Sequence, residues 1–205
     1  MTFEAWALFC ATETLLCLNP GPSTLVVISL GMRRGFAAGI SATVGVLAAN
    51  AIYFALSATG LVAVFSLSSS VFVIIKWAGA LYLIYLGARM IVRSFATHDQ
   101  LTSAPPGAGA SFWQGFMTQG ANPNLLVYFT AILPQFVDAT APLAPQVAIL
   151  AMSSFVIEFI VLSAYCLLSH RAGRRAGSRF RLVVERLGGG LLIGAGAGLA
   201  SIKRA

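Results

Sequence analysis

The chain has 205 residues, 58% of them hydrophobic and 9% charged, with a mean hydropathy of +0.86. This composition excludes a soluble domain and places the chain among integral membrane proteins, so membrane lipid is an expected partner. The formal charge of +7 is first a topology signal in such a chain, and no soluble recognition module accompanies it, so nucleic acid is not expected to bind.

Six apolar segments can each supply the roughly 20 residues that cross a bilayer core: 5–30, 39–64, 71–92, 112–137, 144–169 and a short, glycine-rich 187–202. The start carries Glu4 and lacks a basic leader region, so the first segment is expected to stay as a span rather than be cleaved. Residues 97–110, with Pro105-Pro106-Gly107, read as a linker between a first half, 1–96, and a second, 111–205. Trp6, Trp77 and Trp113 fall near span ends, where interfacial anchors belong.

The first span is interrupted by Asn19-Pro20-Gly21-Pro22 and the fourth by Asn122-Pro123. Each proline removes a backbone donor, and non-helical backbone at membrane depth is tolerated only where protein or a polar cavity satisfies it. An asparagine before a proline can cap a new half-helix whose first turn the proline opens, leaving amide donors and a partial positive charge suited to a carboxylate. The expected binding residues are therefore Asn19, Pro20, Gly21, Pro22, Ser23 and Thr24 at one break, and Asn122, Pro123 and Asn124 at the other.

Glu13 and Glu158 sit inside apolar runs, where a carboxyl costs several kcal/mol unless it is paired, protonated or facing a cavity. They are candidates for coupling an ion or for meeting a substrate ammonium, with Asn50 and Gln119 as polar partners from other spans. Lys76, near a span end, is expected to snorkel. Cys10, Cys17 and Cys166 lack metal-ligand spacing, so no metal or cofactor is expected. They read as small buried hydrophobes; an intramembrane thiol carrier is the sharper alternative, and a channel-like subunit without its own cycle another. Gly190, Gly194 and Gly198 recur at the four-residue interval of close helix contacts, and no P-loop context surrounds them.

The two Asn-Pro pairs lie 103 positions apart, and at a shift of 109 Gly79, Leu83, Ile84, Gly87 and Ala88 meet Gly188, Leu192, Ile193, Gly196 and Ala197. Three spans per half is odd, so the halves must cross in opposite directions. The expected fold is all-α, with six transmembrane helices forming two inverted three-helix repeats.

The Pro20-Gly21-Pro22 break, the run from Lys76-Trp77-Ala78-Gly79 through Tyr85-Leu86-Gly87, the Asn122-Pro123 break and Pro134-Gln135-Phe136 together resemble the lysine exporter and homoserine/threonine exporter (LysE/RhtB) family along essentially the whole chain. The resemblance implies a bacterial inner-membrane protein that exports amino acids or their derivatives without a cofactor or ATPase, and leaves a homo-oligomer open. The family commonly has a lysine after the second Asn-Pro; this chain has Asn124.

Ten of the 13 basic residues fall on one side of six spans: Arg33, Arg34, Arg89, Arg93, Arg171, Arg174, Arg175, Arg179, Arg181 and Arg186. Lys76, Lys203 and Arg204 fall on the other. By the positive-inside rule the first side is cytoplasmic and both termini are periplasmic. Reporter fusions at each terminus should therefore report from the periplasm; a cytoplasmic C-terminus would mean that one span, most simply 187–202, does not cross.

Overall fold

The computed structural model describes residues 1–59, 69–95, 108–122, 125, 128–138, 140–175 and 178–201. Among them are seven α-helices and no strand. Helix α1 (Phe3–Leu18) opens on Thr2, whose Oγ1 accepts from the Ala5 amide at 3.2 Å. It ends where proline chemistry demands: Asn19, before Pro20, is extended (φ −84°, ψ 111°), because the proline ring disfavours a helical residue ahead of it. Gly21, before Pro22, is extended as well (φ −93°, ψ −175°), and α2 (Pro22–Arg34) leaves at 57° to α1. Gly35, at φ +93°, then turns the chain into α3 (Phe36–Ala58), a conformation that favours glycine.

The remaining helices are α4 (Ser69–Phe95), α5 (Ala108–Gly120), α6 (Leu143–Arg175) and α7 (Ser178–Ser201). Residues Phe36–Ala58 and Leu143–Gly173 are individually long and apolar enough to cross a membrane, and α1 with α2 together reach that length and apolarity as one bent pair, the geometry of a broken span or a re-entrant loop. In the second half of segment 112–137, Leu125 is helical, its amide donating to the Asn122 carbonyl at 3.1 Å, and the winding changes from Tyr128 onward. There a π-helical turn (Tyr128–Ile132) is followed by a 3₁₀ turn (Leu133–Phe136) containing Pro134, which cannot donate to an α-helical ladder. The arginine-rich stretch 170–186 is helical to Arg175 and again from Ser178.

A turn fixed by side chains joins this segment to α6. Gln146 accepts from the Asp138 amide at 2.8 Å and donates to the carbonyls of Asp138 and Pro142 at 3.0 Å. The Thr140 hydroxyl and amide donate to Asp138 Oδ1, which holds this exposed carboxyl below its usual range. Asp138 Oδ2 also lies 3.8 Å from the chain's amino terminus.

Helix α4 packs along α7, α3 along α5 and α6, and α2 along α6. Two of these contacts depend on glycine. A Cβ on Gly45 would collide with the Phe112 carbonyl, and one on Gly115 with that of Ala42, so α3 and α5 touch backbone to backbone. Gly87 meets the Gly189 carbonyl in the same way across α4 and α7. Gly190, Gly194 and Gly198, expected to make such contacts, would have nothing within 4 Å of an added Cβ and face outward; it is Gly188 and Gly189 that turn toward α4. Large apolar side chains also point outward, Leu15 at 71% and Ile160 at 61% exposure, as expected for a chain solvated by lipid. Pro123, Asn124, Lys203, Arg204, the 97–107 part of the linker and the Lys76 side chain lie outside the described residues.

The glycine contacts are testable. Gly45→Leu should force α3 from α5 and lower the thermal midpoint in detergent, corresponding to roughly 1–3 kcal/mol of overpacking. Gly190→Leu should leave that midpoint nearly unchanged.

Candidate functional site

The first break determines the chemistry around it. Pro22 occupies the first helical position of α2 and has no N–H, while Gly21 has no side chain to cap the helix. The Leu25 amide reaches back to the Gly21 carbonyl at 3.1 Å, so the first-turn donors without an acceptor one turn earlier are those of Ser23 and Thr24. Both residues are buried. Asn19 is not the cap that the Asn-Pro pattern suggested; it closes α1 instead, its amide donating to the Leu16 carbonyl at 3.2 Å. The second proline, not the first, starts the new helix. On the other side of the break, the Leu18 carbonyl accepts from the Tyr165 hydroxyl of α6 at 3.0 Å.

A chain of side-chain hydrogen bonds runs from this break across four helices. Ser23 of α2 donates to Gln119 Oε1 near the end of α5. Gln119 Nε2 donates to Asn50 Oδ1 of α3 at 2.8 Å, and Asn50 Nδ2 donates to Glu158 Oε2 of α6 at 2.5 Å. Asn122, at the second break, also points its amide toward Gln119 Oε1, at 3.5 Å. Both breaks are therefore joined through Gln119 and Asn50 to one buried carboxylate. In a low-dielectric interior such a chain is worth holding only when its members are satisfied, and here each donor meets an acceptor.

Glu13, on the last turns of α1, belongs to a separate set. It accepts from Ser154 Oγ at 2.5 Å and from the Cys17 thiol at 3.9 Å. Ser154 stands one helical turn before Glu158, so one face of α6 serves both carboxyls.

These groups surround a cavity of about 310 Å³. Of the residues expected from sequence, Asn19, Gly21, Ser23, Thr24 and Asn122 line it, as do Glu13, Glu158, Asn50 and Gln119. Pro20 and Pro22 do not line it; they shape the break that does. Pro123 and Asn124 lie outside the described residues. Sequence reasoning missed Ser154, and missed an apolar wall of Phe54, Leu125, Phe129 and Ile132 together with Tyr128. Phe54 stands edge-on to Phe129 (4.8 Å) and to Phe155 (5.6 Å), which fixes the wall. The four-residue spacing from Ser154 to Glu158 was the available signal for the serine; nothing local marked the aromatics.

The cysteines occupy different surroundings. Cys17 borders the cavity, whereas Cys166 is buried against Gly31 and Gly39 with its thiol directed at the Phe36 carbonyl at 3.4 Å.

Over residues 14–202 the chain matches the family described as LysE type translocator. It is 30% identical to a homoserine/homoserine lactone efflux protein of Salmonella typhimurium, with all of both chains covered. It is 29% identical to a leucine efflux protein of Salmonella choleraesuis, covering 92% of this chain and 91% of that one. No solved structure matches it. A match along nearly the whole chain, on a helical membrane fold whose first span breaks into a polar cavity, makes this protein a member of the LysE type translocator family.

Proposed function

We propose that the protein is a secondary transporter that exports amino acids or their derivatives across the bacterial inner membrane. The observation that carries this reading is the cavity itself. Its 310 Å³ lies at the small end of the about 300–1,000 Å³ range of ligand pockets, and its lining combines hydrogen-bond donors with two carboxyls. Amide donors of Ser23 and Thr24, with Asn122, would receive the substrate's acceptor group. Glu13 or Glu158 would meet its ammonium or carry the coupled proton. The Ser23 hydroxyl and the Asn122 side-chain amide already donate to Gln119, so a substrate that draws on either of these, beside the backbone amides, would loosen Gln119 and Asn50 and so change the hydrogen bonding of Glu158. Substrate occupancy and the state of that carboxyl would then be coupled through one chain of amides.

We read the fold as six spans in two inverted repeats, with the broken α1–α2 span related to the broken span that begins with α5. A two-fold exchanging spans one and four, two and five, three and six maps the α3–α6 and α4–α7 contacts onto themselves. It maps α3–α5 onto the packing of α1 and α2 against α6, and all these pairings occur. The basic ends also gather: Gly35, beside Arg33 and Arg34, approaches the His170 ring, and Arg186 lies 4.2 Å over the Phe95 ring. This supports a cytoplasmic face there and periplasmic termini.

Cells loaded with individual amino acids should lose a subset of them faster when the protein is present, and purified protein in liposomes should reproduce the flux; failure of both would remove the exporter reading. Glu158→Gln preserves size and hydrogen bonding but cannot titrate. It should abolish coupled export together with its pH dependence, and if both it and Glu13→Gln export at wild-type rates across pH, neither carboxyl couples. Asn122→Ala should slow export, by an amount corresponding to about 0.5–2 kcal/mol if the asparagine acts as a cap.

A further inference from the structure

The break that opens the cavity also leaves α2 as a short helix between two glycines. Gly21, extended ahead of Pro22, would have nothing within 4 Å of an added Cβ, and Gly35, at φ +93°, holds a conformation that side chains disfavour. Residues at element ends are the ones that absorb backbone rotation when a packed segment moves. The helix between them, Pro22–Arg34, is unbroken, so it moves as one body. The cavity is closed unevenly around it. Toward Arg33 and Arg34 the lining stops at Ser23 and Thr24 of α2, Asn50 of α3 and Leu162 of α6, whereas in the other direction it continues to Phe54, Ile132 and Glu13. What stops it is a dry plug: Val26, Val27, Leu30, Val46, Leu162 and Cys166 are each at most 4% exposed. Past the plug, α2 and α6 meet on small residues. A Cβ on Gly31 would lie 2.7 Å from Ser169 Oγ and 3.2 Å from Cys166 Sγ, and one on Gly173 would lie 2.6 Å from Met32 Cγ. Close-packed contacts of this kind have discrete closed and open arrangements rather than a continuum. The same helix carries Ser23, whose hydroxyl donates to Gln119, so a movement that parts Gly31 from Cys166 also pulls on that bond.

We propose that α2 is the gate between the cavity and the arginine-bearing end of the bundle, a role that rests on the exporter reading above. Swinging between Gly21 and Gly35, it parts from α6 at Cys166 and lets the cavity reach that end, while Ser23 releases Gln119. The first turn of α2, which borders the cavity, and the closed seam are then held by one rigid helix, so what binds at the first acts on the second.

The test is a reversible cross-link across the seam in the full chain, purified and reconstituted in liposomes loaded with amino acids. Gly31→Cys places a thiol within disulfide reach of the native Cys166. Reduced, this variant should move the amino acids that the wild type moves; oxidised, it should lose nearly all of that flux, and dithiothreitol should restore it. A seam that stays closed throughout the cycle would not respond in this way, because fixing a static contact stops nothing. Gly31→Cys combined with Cys166→Ser should be insensitive to the oxidant. If Gly31→Cys folds poorly or is inactive when reduced, Met32→Cys with Gly173→Cys bridges the same seam and is read the same way. A linked protein that exports as fast as its reduced form would overturn the gate and leave the exporter reading standing, and so would the failure of both pairs to link. No flux from wild-type liposomes would overturn the exporter reading itself.

Discussion

The structure depends on a backbone requirement: in hydrocarbon every peptide group needs a partner, and the Asn19–Pro22 break denies several of them one. Proline acts three times here. It removes donors at positions 20 and 22, it forces the residues before each into extended backbone, and the second one restarts the helix at 57° to the first. Other helices meet the needs this creates. Tyr165 from α6 supplies a donor to the Leu18 carbonyl, and the cavity lies along the first turn of α2. A continuous helix in this place would need neither.

The second requirement is electrostatic. Two carboxyls in the interior are tolerated because each has donors aimed at it: Asn50 for Glu158, Ser154 and Cys17 for Glu13. The donors come from different helices, so the carboxyls hold the bundle in one arrangement as much as the bundle holds them. Gln119 is the junction. It takes hydrogen bonds from both breaks and passes one on to Asn50, so a displacement at either break reaches Glu158 through two side chains. This is a physical path between the place where a substrate would sit and a group that can change charge. It also requires α3 and α5 to lie close enough for short amide side chains to meet, which the Gly45 and Gly115 contact provides.

Local covalent constraints and burial cost were legible in the amino-acid sequence. Prolines at 20 and 22 break a helix whatever surrounds them, apolar runs of span length mark membrane segments, and a glutamate within such a run must find a polar partner. The tertiary structure decided which partners meet. Ser23 and Gln119 are 96 residues apart in the chain, Gln119 and Asn50 are 69 apart, and Asn50 and Glu158 are 108 apart. No periodicity encodes such separations, because hydrogen bonds between helices depend on rotation and depth that packing sets. The same holds for the cap, where the pattern favoured Asn19 and the second proline moved the helix start to Pro22. It holds too for the glycines of α7, where the four-residue spacing was real but the rotation of the helix turned Gly188 and Gly189 inward and left Gly190, Gly194 and Gly198 facing out. Sequence thus determined where the backbone had to break and where charge had to be compensated; only the packed helices determined by what, since compensation is a matter of geometry between distant segments.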